Sequence, residues 1–188
     1  MDRREALKRV GVLMGGAVSL PLASGVLSGC QPSPSSAGYT LQTLTEPQSE
    51  LVATIAEHII PTTDTPGARA AQVHTFVDRM LTEWYPLEDK ERFLAGLAEV
   101  DQMAQDLHEL PFGECTEAEQ VAILRILDNE SRQAAPGADA PFFQMMKEQT
   151  LMGYYTSEIG ATQELQHVPA AGRFDPDIEI DADYRAYS

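Results

Sequence analysis

The chain has 188 residues, a formal net charge of −16 and two cysteines, Cys30 and Cys115. This length suffices for one domain with a proper core, while the acidity argues against nucleic acid and against electrostatic adhesion to anionic lipid, because both are negative. Two cysteines leave a cysteine-ligated zinc or iron–sulfur centre without its ligands.

In chain order, the first feature is Asp2-Arg3-Arg4-Glu5-Ala6-Leu7-Lys8, followed by a mildly apolar stretch from Val10 to Leu27. Arg3 and Arg4, with Leu7 and Lys8 at the expected offsets, resemble the twin-arginine export signal, although Phe is commoner at the place of Ala6. Gly11, Gly15, Gly16, Gly25 and Pro21 dilute the apolar run below what a stable spanning helix needs, so a cleaved signal fits better than a permanent anchor. The run ends in Leu27-Ser28-Gly29-Cys30, which resembles a lipobox and marks Cys30 for acylation. Several acyl chains on one cysteine hold a domain firmly at a membrane surface, whereas a single chain is marginal. Loss of residues 1–30 would remove four cations and two anions, leaving a mature chain at −18. The organisation expected is a signal over 1–29, a lipidated flexible tether over 30–39, a domain over 40–168 and an irregular acidic tail over 169–188.

Thr45-Glu46-Pro47-Gln48 reads as a capping box, followed by Leu51, Val52, Ile55, Ala56, Ile59 and Ile60 at helical spacing, until Pro61 closes the helix. Pro61 to Gly67 is turn chemistry whose hydroxyl and carboxylate groups could cap the next helix. That helix is expected from about Arg69 to Tyr85, with Val73, Phe76, Val77, Met80, Leu81 and Trp84 inward. A third, from about Glu88 to Glu109, carries Phe93, Leu94, Leu97, Val100, Ala104 and Leu107. Thr116 to Glu119 forms a second capping box, opening a helix to about Gln133 with Val121, Ala122, Leu124, Ile126 and Leu127. The fifth runs from about Ala140 to Ser157, with Phe142, Phe143, Met146, Leu151 and Tyr154. No period-two run or hairpin signal precedes residue 168, so the fold class is all-α, a single domain of about five helices. In the tail, Ile178-Glu179-Ile180 could form a short extended piece.

Chemistry is scarce. His58, His74, His108 and His167 have no metal-binding spacing, and adjacent Glu57 and His58 diverge by about 100° on a helix. No Gly-rich phosphate or dinucleotide loop and no nucleophile elbow occurs. Glu46, Asp64, Asp78 and Glu158 could converge as an acid–base pair, but nothing in their spacing selects them. Cys115 reads as a nucleophile or, more simply, as a buried residue. Catalytic, metal and cofactor-binding residues are therefore expected to be none.

Two strings are more specific. Ile59-Ile60-Pro61-Thr62-Thr63-Asp64-Thr65-Pro66-Gly67-Ala68 and Leu151-Met152-Gly153-Tyr154-Tyr155-Thr156-Ser157-Glu158-Ile159-Gly160 resemble the two signature segments of the gluconate 2-dehydrogenase subunit 3 family. The segment from Phe112 to Leu127 is similar as well, and the resemblance spans roughly residues 40–175. It implies a small non-catalytic subunit of a membrane-associated dehydrogenase of sugars, sugar acids or polyols. Its partners would be an FAD-holding catalytic subunit of the glucose-methanol-choline class, often a cytochrome c subunit, and the twin-arginine translocase. The small subunit would carry the export signal for a flavoprotein that lacks one, placing the complex on the periplasmic side of a bacterial membrane. Family members often finish in Pro-Gly-Arg-Tyr, matched here only by Ala171-Gly172-Arg173-Phe174; the resemblance does not account for the acidic extension Asp175 to Ser188, and not every member shares the lipobox. Pro61, Asp64, Pro66 and Gly67 would build the turn or meet the partner, and Gly153 would allow close packing or do the same. Tyr154, Tyr155 and Ser157 lean toward partner contact, since consecutive tyrosines on a helix cannot all face the core. The alternative is a stand-alone lipoprotein binding module that kept the fold without an enzyme partner.

Overall fold

A computed structural model describes residues 38–135, 139–170, 172, 177, 180 and 184–186. The export and lipidation candidates Arg3, Arg4, Leu7, Lys8 and Cys30 lie outside the described residues, as do Ile178 and Glu179 of the expected extended piece. The unit that begins at Thr40 is all-helical among its described residues. Its elements are α1 (Glu46–Ile59), α2 (Val73–Glu83), α3 (Leu87–His108), a 3-10 turn (Phe112–Glu114), α4 (Glu117–Arg132), α5 (Phe142–Tyr155) and a π turn (Gly160–Glu164). None of the described helices is long and apolar enough to cross a membrane.

Both expected capping boxes form. Thr45 N–H donates to Gln48 Oε1 at 2.9 Å, and Thr116 N–H donates to Glu119 Oε2 at 2.8 Å. Each box satisfies backbone donors that a helix start leaves without partners. The second helix departs from expectation, starting at Val73 rather than Arg69 and ending at Glu83, with Pro86 serving as the N-cap of α3. Residues 68–72 form a separate turn, and Gln72 adopts a left-handed backbone (φ 55°) that no continuous helix accommodates.

α5 packs against each of α1, α2, α3 and α4, so it is the central helix. This explains its wide buried face of Phe142, Phe143, Met145, Met146, Gln149, Thr150, Gly153 and Tyr154, broader than a surface helix needs. Around it Val52, Ile55, Leu81, Phe93, Leu97 and Ile123 close the core, each essentially fully buried. In α4 the inward positions are Gln120, Ile123, Leu124, Leu127 and Ser131, a regular three-and-four spacing; Val121 is only half-buried and Ala122 and Ile126 face outward. Leu107 and Leu151 are also exposed, and Trp84, expected inside, is 73 % exposed because α2 has ended before it.

Asp78, one of the carboxylates considered for acid–base work, is fully buried and structural. Its carboxylate accepts the backbone N–H groups of Gln42, Thr43 and Leu44 at 2.9, 3.0 and 2.6 Å. Burying a charge costs several kcal/mol, and charge-assisted bonds of this kind offset it. The entering chain is thereby fastened to α2, with Leu44 buried behind it.

Candidate functional site

The two signature segments meet at one end of the bundle. Glu57, in the last turn of α1, organises the first of them: Oε1 accepts from Thr62 N–H (2.8 Å) and Thr62 Oγ1 (2.7 Å), and Oε2 accepts from Arg69 N–H (2.9 Å). Thr62 Oγ1 in turn accepts from Gly67 N–H at 3.0 Å, and Ala68 N–H closes the turn onto Ile60 O at 2.9 Å. A Cβ on Gly67 would stand 2.5 Å from Glu57 Oε1 and 2.6 Å from Thr62 N, so this position requires glycine for close approach. Burial tends to raise the Glu57 carboxyl, but the donors from Thr62 and Arg69 outweigh it and hold the group below its ordinary value. The turn's own carboxylate, Asp64, is exposed and accepts from Thr63 Oγ1 at 2.9 Å, a bond that holds it below its ordinary value. The expected capping of the next helix by turn hydroxyls and carboxylates is absent: Gln72 precedes α2 with no side-chain cap, and the hydroxyls of Thr62, Thr63 and Thr65 bond instead to Glu57, Asp64 and Glu164.

The second segment divides its two tyrosines. Tyr154 falls at the same face as Phe143, Met146 and Thr150 and is 1 % exposed, its OH donating to Pro66 O at 2.8 Å. The expectation of partner contact through Tyr154 is thus corrected: its ring is core and its hydroxyl ties the two segments together. Burial raises its phenol, so the hydroxyl keeps its proton. Tyr155 points outward at 39 % exposure, its ring edge-on to that of Tyr154 with centroids 5.3 Å apart. Ser157 works within the chain, its Oγ donating to Tyr154 O (2.6 Å) and accepting from Gly160 N–H (3.0 Å) where α5 gives way to the π turn. Thr65 Oγ1 donates to Glu164 Oε2 at 2.7 Å, tying the first segment to the π turn that follows the second. Gly153 lies under Phe76, whose Cδ1 would be 2.7 Å from an added Cβ. Beside it a cleft of about 190 Å³ opens, lined by Gln72, Thr75, Phe76, Arg79, Gly153, Thr156 and Ser157 among others.

Of the proposed interface residues, Pro61, Asp64 and Tyr155 are exposed, Pro66 and Ser157 half-buried, and Gly67, Gly153 and Tyr154 buried. Sequence reasoning missed Glu57 as the organiser of the turn. The available signal was a carboxylate one turn before Pro61 with Thr62 and Arg69 following, but only the folded turn brings three donors onto it. His58 bonds through Nε2 to Gln120 Oε1 at 2.7 Å, while Gln120 Nε2 donates to Phe112 O at 2.8 Å. With the amide oriented by Phe112 O, His58 Nε2 carries the hydrogen. Cys115 is buried, and burial raises its thiol, the opposite of an activated nucleophile. Among the described residues no group of three or more His, Cys, Asp or Glu is placed to hold a metal ion.

What the junction offers is a surface. The outer face of α5 turns from polar to apolar: Gln144 and Glu148 bond to each other in its first half, while Leu151, Met152 and Tyr155 stand exposed in its second. Three large apolar side chains are thus exposed close together on one helix of an acidic chain. Compared with known proteins, residues 46–172 match the family described as gluconate 2-dehydrogenase subunit 3. No curated protein and no solved structure matches the chain.

Proposed function

The chain belongs to the gluconate 2-dehydrogenase subunit 3 family, the family of a small subunit of a dehydrogenase complex, and from that premise we propose that it is the non-catalytic escort and membrane anchor of an FAD-dependent dehydrogenase. The partner would be a flavoprotein of the glucose-methanol-choline class that oxidises a sugar, sugar acid or polyol, with a cytochrome c subunit as a further member. One observation carries the reading: a family domain with exposed apolar side chains close together on one helix follows, in the same chain, an Arg3-Arg4 pair and a Leu27-Ser28-Gly29-Cys30 string that resembles a lipobox.

The physical logic concerns order of assembly. FAD must enter a folded flavoprotein, so a loaded partner travels folded, and a bound subunit with a twin-arginine signal supplies the address. Leu151, Met152 and Tyr155 supply desolvation area for that binding, with exposed Pro61 and Asp64 on the adjoining turn. Cys30 then holds the complex at the periplasmic face of a membrane through acyl chains.

The test is export of the partner. In cells carrying Arg3→Lys and Arg4→Lys together, the flavoprotein should accumulate in the cytoplasm with FAD bound and be missing from the periplasmic membrane fraction. Normal export of the flavoprotein in that strain would sink the escort role. Cys30→Ala should release an otherwise active complex from the membrane.

A further inference from the structure

A second surface lies along α1, α4 and the first half of α5, where a groove of about 320 Å³ is floored by Ile59, Val121, Leu124 and Phe143. Its sign is opposite to that of the molecule. The chain carries 29 acidic residues against 13 lysines and arginines, yet Arg125, Arg132 and Lys147 all line this groove, with Asp128 as its one carboxylate. Asp128 is already engaged twice, accepting from Lys147 Nζ and, at 2.8 Å, from Arg132. Arg125, one turn earlier on α4, makes no hydrogen bond or ion pair among the described residues, and it is exposed.

An apolar floor beside an unmatched guanidinium defines the complement: an apolar side chain with a carboxylate next to it. We propose that this groove binds an acidic, apolar-anchored segment of a partner protein, its carboxylate pairing with Arg125 and its apolar side chains seated against the half-buried Ile59 and Val121. An anionic membrane is disfavoured as occupant because a broad negative surface would meet the net charge of −16 around the groove, whereas one narrow segment meets only its local field. The chain's own acidic end is disfavoured too. Arg185 donates to Gln163 O and Gln166 N–H donates to Ala186 O, past the far end of α5, and Ile180 stands 73 % exposed. The groove's lining includes none of Leu151, Met152 and Tyr155, and the inference does not depend on the escort reading.

The purified full-length chain is titrated into a fluorescent peptide, acetyl-Glu-Leu-Asp-Phe-Glu-Leu-Asp-amide, and into its Gln/Asn analogue, with anisotropy as readout. The acidic peptide should bind saturably and the neutral analogue at least about tenfold more weakly. Arg125→Glu should weaken the acidic peptide by about tenfold or more, Arg125→Gln should weaken it less in the same direction, and Arg125→Lys should restore much of the affinity. Binding that ignores these substitutions, equal binding of the two peptides, or no saturable binding overturns the proposal. So does association of the chain with phosphatidylglycerol vesicles that Arg125→Glu abolishes while the peptide fails to bind. A chain ending at residue 170 that gains more than about tenfold in peptide affinity would identify the occupant as the chain's own tail, which also overturns the assignment to a partner.

Discussion

The motif junction and the basic groove differ in how their polar groups are spent. At the junction nearly every donor and acceptor is consumed within the chain: Glu57 takes three donors, Thr62 Oγ1 both donates and accepts, and Tyr154 OH ends on Pro66 O. In the groove Arg125 makes no such bond among the described residues, and apolar side chains line an open floor. The difference teaches that the polar groups of the two family segments are largely construction, leaving contact there to exposed side chains such as Leu151, Met152 and Tyr155, whereas the groove, which carries no recognisable string, keeps a guanidinium for another molecule.

That contrast can be broken by substitution. The largest loss of stability is expected from Gly67→Ala, whose Cβ must displace a backbone nitrogen and the Glu57 carboxylate; urea unfolding should show a loss of about 2 kcal/mol. Tyr154→Phe keeps the ring and loses the bond to Pro66 O, and should cost about 1 kcal/mol by the same measurement.

Acid should act next. The Glu57 carboxyl is held below its ordinary value of 4.5, so its stabilisation is present above that value and is lost as pH falls through the folded-state pKa. His74 adds an earlier decline: burial, then the nearby Arg69, lower its pKa from 6.5, so the unfolded chain takes up the proton first as pH drops below that value. Its Nδ1 is buried and finds no hydrogen-bond partner among the described residues. Thermal unfolding from pH 7 to 4 should show a shallow fall beginning near 6.5, which His74→Gln reduces, and a steeper one at lower pH, which Glu57→Gln reduces. The smallest effect on stability belongs to the groove. Arg125→Glu should move the unfolding free energy by less than about 0.5 kcal/mol, and a loss comparable to that of Gly67→Ala would show that the groove, too, is construction.

Much of the bundle was legible because its signals are local. Thr45 with Gln48 and Thr116 with Glu119 each satisfy helix-end donors within four residues, and both boxes form as read. The inward faces of α1 and α3 followed from spacing alone, apart from Leu107 near the end of α3. The errors lie where a local signal competes with a distant contact. The run Arg69 to Gln72 has good helix formers but is pulled into a separate turn by Glu57, twelve residues before Arg69. Helical spacing placed Tyr154, and not Tyr155, on the inward stripe of α5, but the bond from its hydroxyl to Pro66 O joins residues 88 positions apart and is written in no local pattern.

The sequence by itself determined the helical class, the helix starts at both capping boxes and the family, because each is written in neighbouring residues. Tertiary structure alone decided that Glu57 builds the turn, that Asp78 fastens residues 42–44, that Tyr154 joins the two signature segments, and that three of the chain's few cations line one groove. Those relations link residues up to 88 positions apart. No periodicity encodes them, since they exist only once apolar burial has brought the helices together.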